Sequence, residues 1–345
     1  LIEKEWCEYF INNIIQNFYW VSISFHNLSE NINVTWDTVL QNPQIPWKYN
    51  SLSSNPNITY DIVKKYPDYE WNYDKLSSNP SIRWEDILSD FTKSWNWRKL
   101  SGKPGIPLSI IQSKFNQLNK YLLIKNPSVS IALIEENPYL DWDYQEISYI
   151  SNLTFPELLR ITKLWNLKLD EKHWSFISEQ EYITWTIVAD NITLPWNFNS
   201  LSRNPNITLA IIENYPEYAW SYRHFTYNKN CVFRDILDNP EYNWDWEYIS
   251  EYIVNFEDYL NNLNLPFCNN SIQMNPNFTF SQLCKIPHLQ RNINYISLNP
   301  SITLADIRNN RGYAWDWFWL SGSYFKLDKK IFIQRKKREW MAAYQ

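Results

Sequence analysis

Glycine is nearly missing from this chain, with four residues in 345. That excludes glycine-built phosphate loops and glycine-rich linkers as dominant features, because both depend on backbone freed from a Cβ. Histidine and cysteine are equally scarce, at four each. The cysteines (Cys7, Cys231, Cys268, Cys284) form no Cys-x-x-Cys pair and no disulfide-scaffold density, the pattern of a chain whose thiols stay reduced inside a cell. No apolar run approaches the roughly 18–20 residues of a membrane span. The opening LIEKEW lacks a basic segment followed by an apolar stretch, so neither a membrane helix nor a secretory leader is expected.

What is present is aromatic. Twenty Trp and twenty-four Tyr predict packing by large flat side chains. The net charge is −5, unevenly spread: Lys326, Lys329, Lys330, Arg335, Lys336, Lys337 and Arg338 face only Asp328 and Glu339 over residues 326–340, a local +5 that leaves −10 for the rest. An acidic body argues against a nucleic-acid groove along its length.

The aromatics recur in a phrase. WKYNSLSSNPNI (47–58), WNYDKLSSNPSI (71–82) and WNFNSLSRNPNI (196–207) are one sentence written three times. With its Trp as slot 1, the pattern W-[ND]-[YW]-x-x-L-S-x-N-P-x-I-T starts at 23, 47, 71, 95, 118, 142, 172, 196, 220, 244, 267, 291 and 315. Slots 6 and 17 are apolar throughout, as in Leu76 and Ile87, which marks them as core.

Two helix starts are written into each unit. Thr at slot 13 opens a capping box in TFPE (154–157), TFSQ (279–282) and TLAD (303–306). Pro at slot 21, as in Pro43 and Pro216, ends that helix. Slot 2, as in Asn72, Asn96, Asp143, Asn197, Asp245 and Asp316, is the N-cap of a second short helix carrying slots 3 and 6. Helices of about two turns are marginal alone and need neighbours. The expected fold is therefore all-α: an α-solenoid of about thirteen 24-residue helix-turn-helix repeats over 23–321, with a helical cap at 1–22 and a basic capping helix at 322–345. Layers spaced by roughly 8–10 Å predict a curved rod on the order of 100 Å.

Each chemical signal has a structural reading beside it. Slot 1 tryptophans are expected in the core, with the indole N–H given to a loop carbonyl, and slot 3 aromatics with an edge to solvent. Asn33, Asn57, Asn152, Asn191, Asn206 and Asn277 match the glycosylation pattern, but the hydroxyl residue is explained as a helix cap. Cys268, Cys284 and His288 lack an evident fourth metal ligand. His26, His173, His224 and His288 fall in different slots of distant units, so no catalytic constellation, metal or cofactor is expected.

Departures from the phrase are the best site clue. Asn-Pro is lost in the units starting at 142, 172, 220 and 244, and six extra residues lie in TKLWNLKLDEKHW before 172. Lys168, Asp170, Lys172 and Trp174, with Tyr222 and Trp246, are the candidate partner contacts, and replacing 168–172 with a consensus turn is expected to abolish partner capture without lowering the melting temperature. Arg335, Lys336, Lys337 and Arg338 form a candidate basic patch, read as a nuclear-localisation or nucleic-acid patch or as the solvated face of a capping helix.

The iterated phrase, together with the closing KREWMAAYQ, resembles the tandem-repeat proteins encoded by Mimivirus-like giant viruses. The resemblance covers 23–321 and about 335–345, and stops short of the Trp-rich continuation typical of that set. It implies a viral origin and a location in the host cytoplasm, at the virus factory, or in the virion, and brings no activity or site residues with it. The expected function is a non-enzymatic scaffold for protein–protein interaction with a host factor or virion component. The alternatives are an architectural, capsid-associated virion protein and a nucleic-acid-associated protein acting through its basic C-terminal helix.

Overall fold

The computed structural model describes residues 2–17, 23–150 and 153–343, and among these every regular element is helical. Residues 1–95 with 250–345 pack as one compact unit and 96–249 as a second. The repeat folds as its caps dictate. WNYDKLSSNPSI becomes a first helix, Tyr73–Leu76, at slots 3–6, followed by a second, Trp84–Ser89, from slot 14. Asn72 Oδ1 accepts from the Lys75 N–H at 3.0 Å, and Asn197 does the same for Ser200 at 2.9 Å. The three capping boxes form as spelled: Thr154 with Glu157, Thr279 with Gln282, Thr303 with Asp306. The turn that follows Asp143, Tyr144–Tyr149, is a 3-10 helix rather than an α-helix.

The slot 1 tryptophans behave as core residues. All eight give the indole N–H to the carbonyl five residues earlier, as Trp47 does to Asn42 (3.0 Å), Trp142 to Asn137 (2.9 Å) and Trp244 to Asn239 (2.8 Å). That carbonyl ends the second helix of the repeat, so one ring both fills the layer and closes an orphan acceptor. Six are buried, while Trp71 and Trp220 are half-buried.

What joins one repeat to the next is the Ser and Asn of L-S-x-N-P. The slot 9 amide is buried and donates to main-chain carbonyls of the preceding repeat. Asn55 reaches Ser29, Asn31 and Val34 at 2.9, 2.9 and 3.1 Å, and Asn228 reaches Ser202, Asn204 and Ile207 at 3.0, 2.8 and 3.0 Å. Its Oδ1 accepts the N–H two residues on, at 2.8 Å from Asn57 and 2.9 Å from Asn230. The slot 7 hydroxyl accepts the slot 2 N–H of the following repeat, as Ser53 does from Asn72 and Ser202 from Ser221. Main-chain groups that two-turn helices cannot satisfy internally are thus satisfied across the layer. In two of the repeats without a slot 9 Asn the first helix deforms: Ile150 follows the 3-10 turn, and Tyr252 sits in a π-helical turn, Ile249–Ile253, whereas the helices before Lys103, Gln180 and Ser323 stay α-helical.

The same ladder links the two ends of the array. Asn31 donates to the Ser321 and Ser323 carbonyls at 3.0 and 2.8 Å, Ser24 N–H donates to Ser321 Oγ at 3.1 Å, and Asn33 donates to the Tyr324 carbonyl at 3.0 Å. The repeat beginning at 315 therefore precedes the one beginning at 23 in the register that any neighbour occupies. No motif in the sequence signals this contact between the first and last repeats. The two terminal helical segments also pack on each other. Helix Ile2–Asn17 packs on helix Lys326–Ala343 through Trp6 and Tyr9 against Phe332 and through Phe10 against Phe325, with Glu3–Lys329 (2.6 Å) and Glu5–Lys336 (3.0 Å) ion pairs. Residues 18–22 of the expected N-terminal cap lie outside the described residues.

At that junction Asp328 accepts the Leu304 N–H at 3.1 Å. Burial pushes its carboxyl up to about 6, the Leu304 hydrogen bond opposes this, and Asp306 adds to it. An unfolded Asp releases its proton near about 3.9. Between the two values the folded chain holds a proton that the unfolded chain has lost, so stability falls as pH rises through that window. Asp328→Asn, which keeps an acceptor for Leu304, is expected to flatten this slope in denaturant midpoints measured from about pH 4 to 7. An unchanged slope would assign it to another group.

Candidate functional site

With slots 1, 6, 7, 9 and 17 committed to packing and to the ladder, the first helix of each repeat is left with slots 4 and 8 facing outward, and slot 5 as well except where it is a buried serine (Ser51, Ser200, Ser271). Their chemistry changes from repeat to repeat: His26, Asn27 and Glu30 in one, Arg98, Lys99 and Gly102 in another, Arg223, His224 and Tyr227 in a third. These side chains touch across layers. In the 96–249 unit Ser175 Oγ meets Ser200 Oγ at 2.7 Å, Glu179 takes Arg203 at 3.2 Å, and the Arg203 guanidinium lies 5.6 Å from the centre of the Tyr227 ring. In the other unit Glu30 takes Lys75 at 2.9 Å.

One cluster resembles a catalytic set. His26 Nδ1 bonds Ser51 Oγ, and its Nε2 lies 3.6 Å from Glu30. Sequence reading missed it because the three residues belong to two repeats, and only the layer brings slot 4 of one to slot 5 of the next. A nucleophile must be open to its substrate, and Ser51 is 0% exposed. Glu30 is moreover held by Lys75. A groove of about 470 Å³ beside Glu30, walled by Trp319, Tyr324 and Lys326, lies where the terminal repeats meet.

The candidate partner contacts do not converge. Lys168 and Lys172 are exposed. Asp170 is a helix cap: it accepts from the N–H groups of Lys172 (2.9 Å) and His173 (3.1 Å), and the His173 main-chain bond holds its carboxyl below the usual range. A consensus turn in place of 168–172 therefore has to supply a helix cap of its own if the melting temperature is to stay unchanged. Trp174 is 7% exposed and packs edge-on against Trp196, so it is core rather than contact, although other slot 3 rings are half-buried as expected. Tyr222 is half-buried and stacked on Tyr242 at 3.7 Å, and burial followed by the Tyr242 hydrogen bond raises its hydroxyl. Trp246 is half-buried in the next repeat.

The basic patch is partly neutralised at home. Lys336 pairs with Glu5 and Glu339, and Arg335 lies 3.6 Å from Glu339, while Lys337 and Arg338 are exposed. Tyr344 and Gln345 of the closing stretch lie outside the described residues.

The remaining sequence signals are structural. Asn57 and Asn206 each donate to two carbonyls of the preceding repeat, Asn277 to Val254 and Asn191 to Ile187, so these amides, like that of Asn33, are engaged in the fold. Asn152 lies outside the described residues. Among the described residues no group of three or more His, Cys, Asp or Glu is placed to hold a metal. Burial pushes the Cys231 thiol up to about 12, the setting of an inert small hydrophobe. No helix among the described residues is long and apolar enough to cross a membrane. No protein-family model, curated protein or solved structure matches this chain.

Proposed function

We propose that this chain is a non-enzymatic scaffold that presents its slot 4, 5 and 8 side chains to a protein partner. The reading rests on the division of labour among slots. The most regular positions of the phrase go to joining repeats, and the outward positions carry a different residue set in every layer. A rigid frame of this kind pays little ordering cost on binding, because neighbouring repeats already hold the contact residues in place. With the family resemblance, the partner is a host factor or a virion component, met in the host cytoplasm or in the particle.

Affinity capture from infected-cell lysate, beside quantitative mass spectrometry of purified particles, tests this. An enriched protein partner with the chain rare in particles is expected of a host-directed adaptor. High copy number in particles would instead support the architectural reading. Failure to enrich any protein in either setting would count against both. The nucleic-acid reading through the tail draws on Lys337 and Arg338, and predicts binding that falls steeply with salt.

A further inference from the structure

One sector of the 96–249 unit differs sharply from the rest. Residues 96–134 carry six bases (Arg98, Lys99, Lys103, Lys114, Lys120 and Lys125) and no acid, whereas residues 135–249 carry eight bases against eighteen acids. A charge run of this kind is ordinarily a solvated face. Here apolar side chains lie open within it: Tyr121 is 46% exposed and Leu122 is 37% exposed. Slot 8 of the preceding repeat is Gly102, whose absent side chain leaves Leu122 uncovered; a Cβ there would lie 3.9 Å from Leu122 Cβ. In this lattice slot 4 meets slot 5 of the next repeat, as His26 meets Ser51 and Ser175 meets Ser200. The same correspondence sets Arg98 beside Leu122.

Lys125 is held in place by rings. Its ammonium lies 4.1 Å from the centre of Tyr121, 4.7 Å from Tyr149 and 5.5 Å from Phe176, and it touches the Tyr121 hydroxyl. A long cationic side chain normally loses rotamer freedom when it binds an anion, and here much of that loss has already been taken. The rings face an ammonium, so they are not open platforms on which bases would stack. A fixed cation, a free guanidinium at Arg98 and an uncovered Leu–Tyr pair together match carboxylates alternating with apolar side chains.

We propose that the face formed by Arg98, Tyr121, Leu122 and Lys125 receives an acidic, apolar-interleaved segment of a protein partner. This deepens the scaffold reading and rests on it. The test is fluorescence anisotropy on the full chain, with a labelled peptide of about 15 residues alternating Asp and Glu with Leu and Phe. An oligothymidylate of about the same length is the comparison. The peptide is expected to bind, and to bind more weakly as salt rises from about 0.05 to 0.3 M. Arg98→Glu is expected to weaken it about tenfold, and Lys125→Met, which keeps the stem against the rings, about fivefold. Melting temperatures of both variants should stay near that of the parent.

Absence of peptide binding overturns the proposal, as does binding indifferent to both substitutions or an oligothymidylate that binds more tightly. The variants also separate this inference from its parent reading. If the parent chain captures a protein partner and Arg98→Glu with Lys125→Met captures it equally, the scaffold stands and this face is not its site. If the parent captures nothing, the scaffold reading itself fails.

Discussion

Asn228→Ala is expected to lower the stability of the 96–249 unit by about 3–5 kcal/mol, read as a shift in denaturant midpoint. The side chain is small and polar, and in an ordinary helical protein such a loss would be minor. Here its Nδ2 supplies three buried carbonyls of the preceding repeat and its Oδ1 takes the Asn230 N–H. Truncation removes the donor and leaves its partners without water to replace it. Asn228→Asp is expected to be worse, because a carboxylate can only accept and would face those carbonyls with charge. Asn199→Ala, at an exposed slot 4, is the control and should stay within about 0.5 kcal/mol. A loss below about 1 kcal/mol at Asn228 would mean that the ladder contributes little net stability.

The second large effect is expected at the N-terminal helix. Trp6 is 0% exposed, donates its indole N–H to Asn33 Oδ1 at 2.8 Å, and packs edge-on against Phe332 and tilted against Phe10. One side chain thus ties the first helix to the first repeat and to the last helix. Trp6→Ala should cost about 4–6 kcal/mol: about 3–5 for the emptied volume and about 1 or more for the stranded Asn33 oxygen. Trp6→Phe keeps most of the ring and loses the bond, for about 1–2 kcal/mol. Hydrogen exchange along 326–343 should quicken in the Ala variant. Unchanged exchange there would show that the last helix is held by its ion pairs to Glu3 and Glu5 rather than by this ring.

Much of the repeat could be read from its letters. Capping residues act within three positions of themselves, so Thr154, Thr279, Thr303 and Asn72 announced their helices, and a Trp recurring at one slot announced core. The roles of slots 7 and 9 were hidden for a physical reason. The slot 9 amide reaches main-chain carbonyls 21–26 residues back and the slot 7 hydroxyl a main-chain N–H 19 residues on, groups that carry no side-chain identity. The meeting of the ends was hidden too, because the placement of repeats accumulates from small rotations between layers and no motif spells a rotation.

The basic sector at 96–134 escaped because its bases are spread over two repeats, unlike the dense run at 335–338, and only layer contacts gather them. Trp174 was misplaced as a contact since slot 3 is half-buried elsewhere; at the insertion it turns in against Trp196.

The claim on which the architecture depends is that the repeat at 315 lies against the repeat at 23. A Cβ at Gly322 would sit 3.5 Å from Asn27 Cβ, within the range of about 3.5–4.5 Å that a disulfide needs. The most direct measurement is therefore oxidation of the Asn27→Cys, Gly322→Cys variant, followed by peptide mapping, with the parent and its four native cysteines as control. A monomeric chain carrying a 27–322 disulfide is the predicted result. Free thiols at both positions, or cross-linked dimers alone, would contradict it.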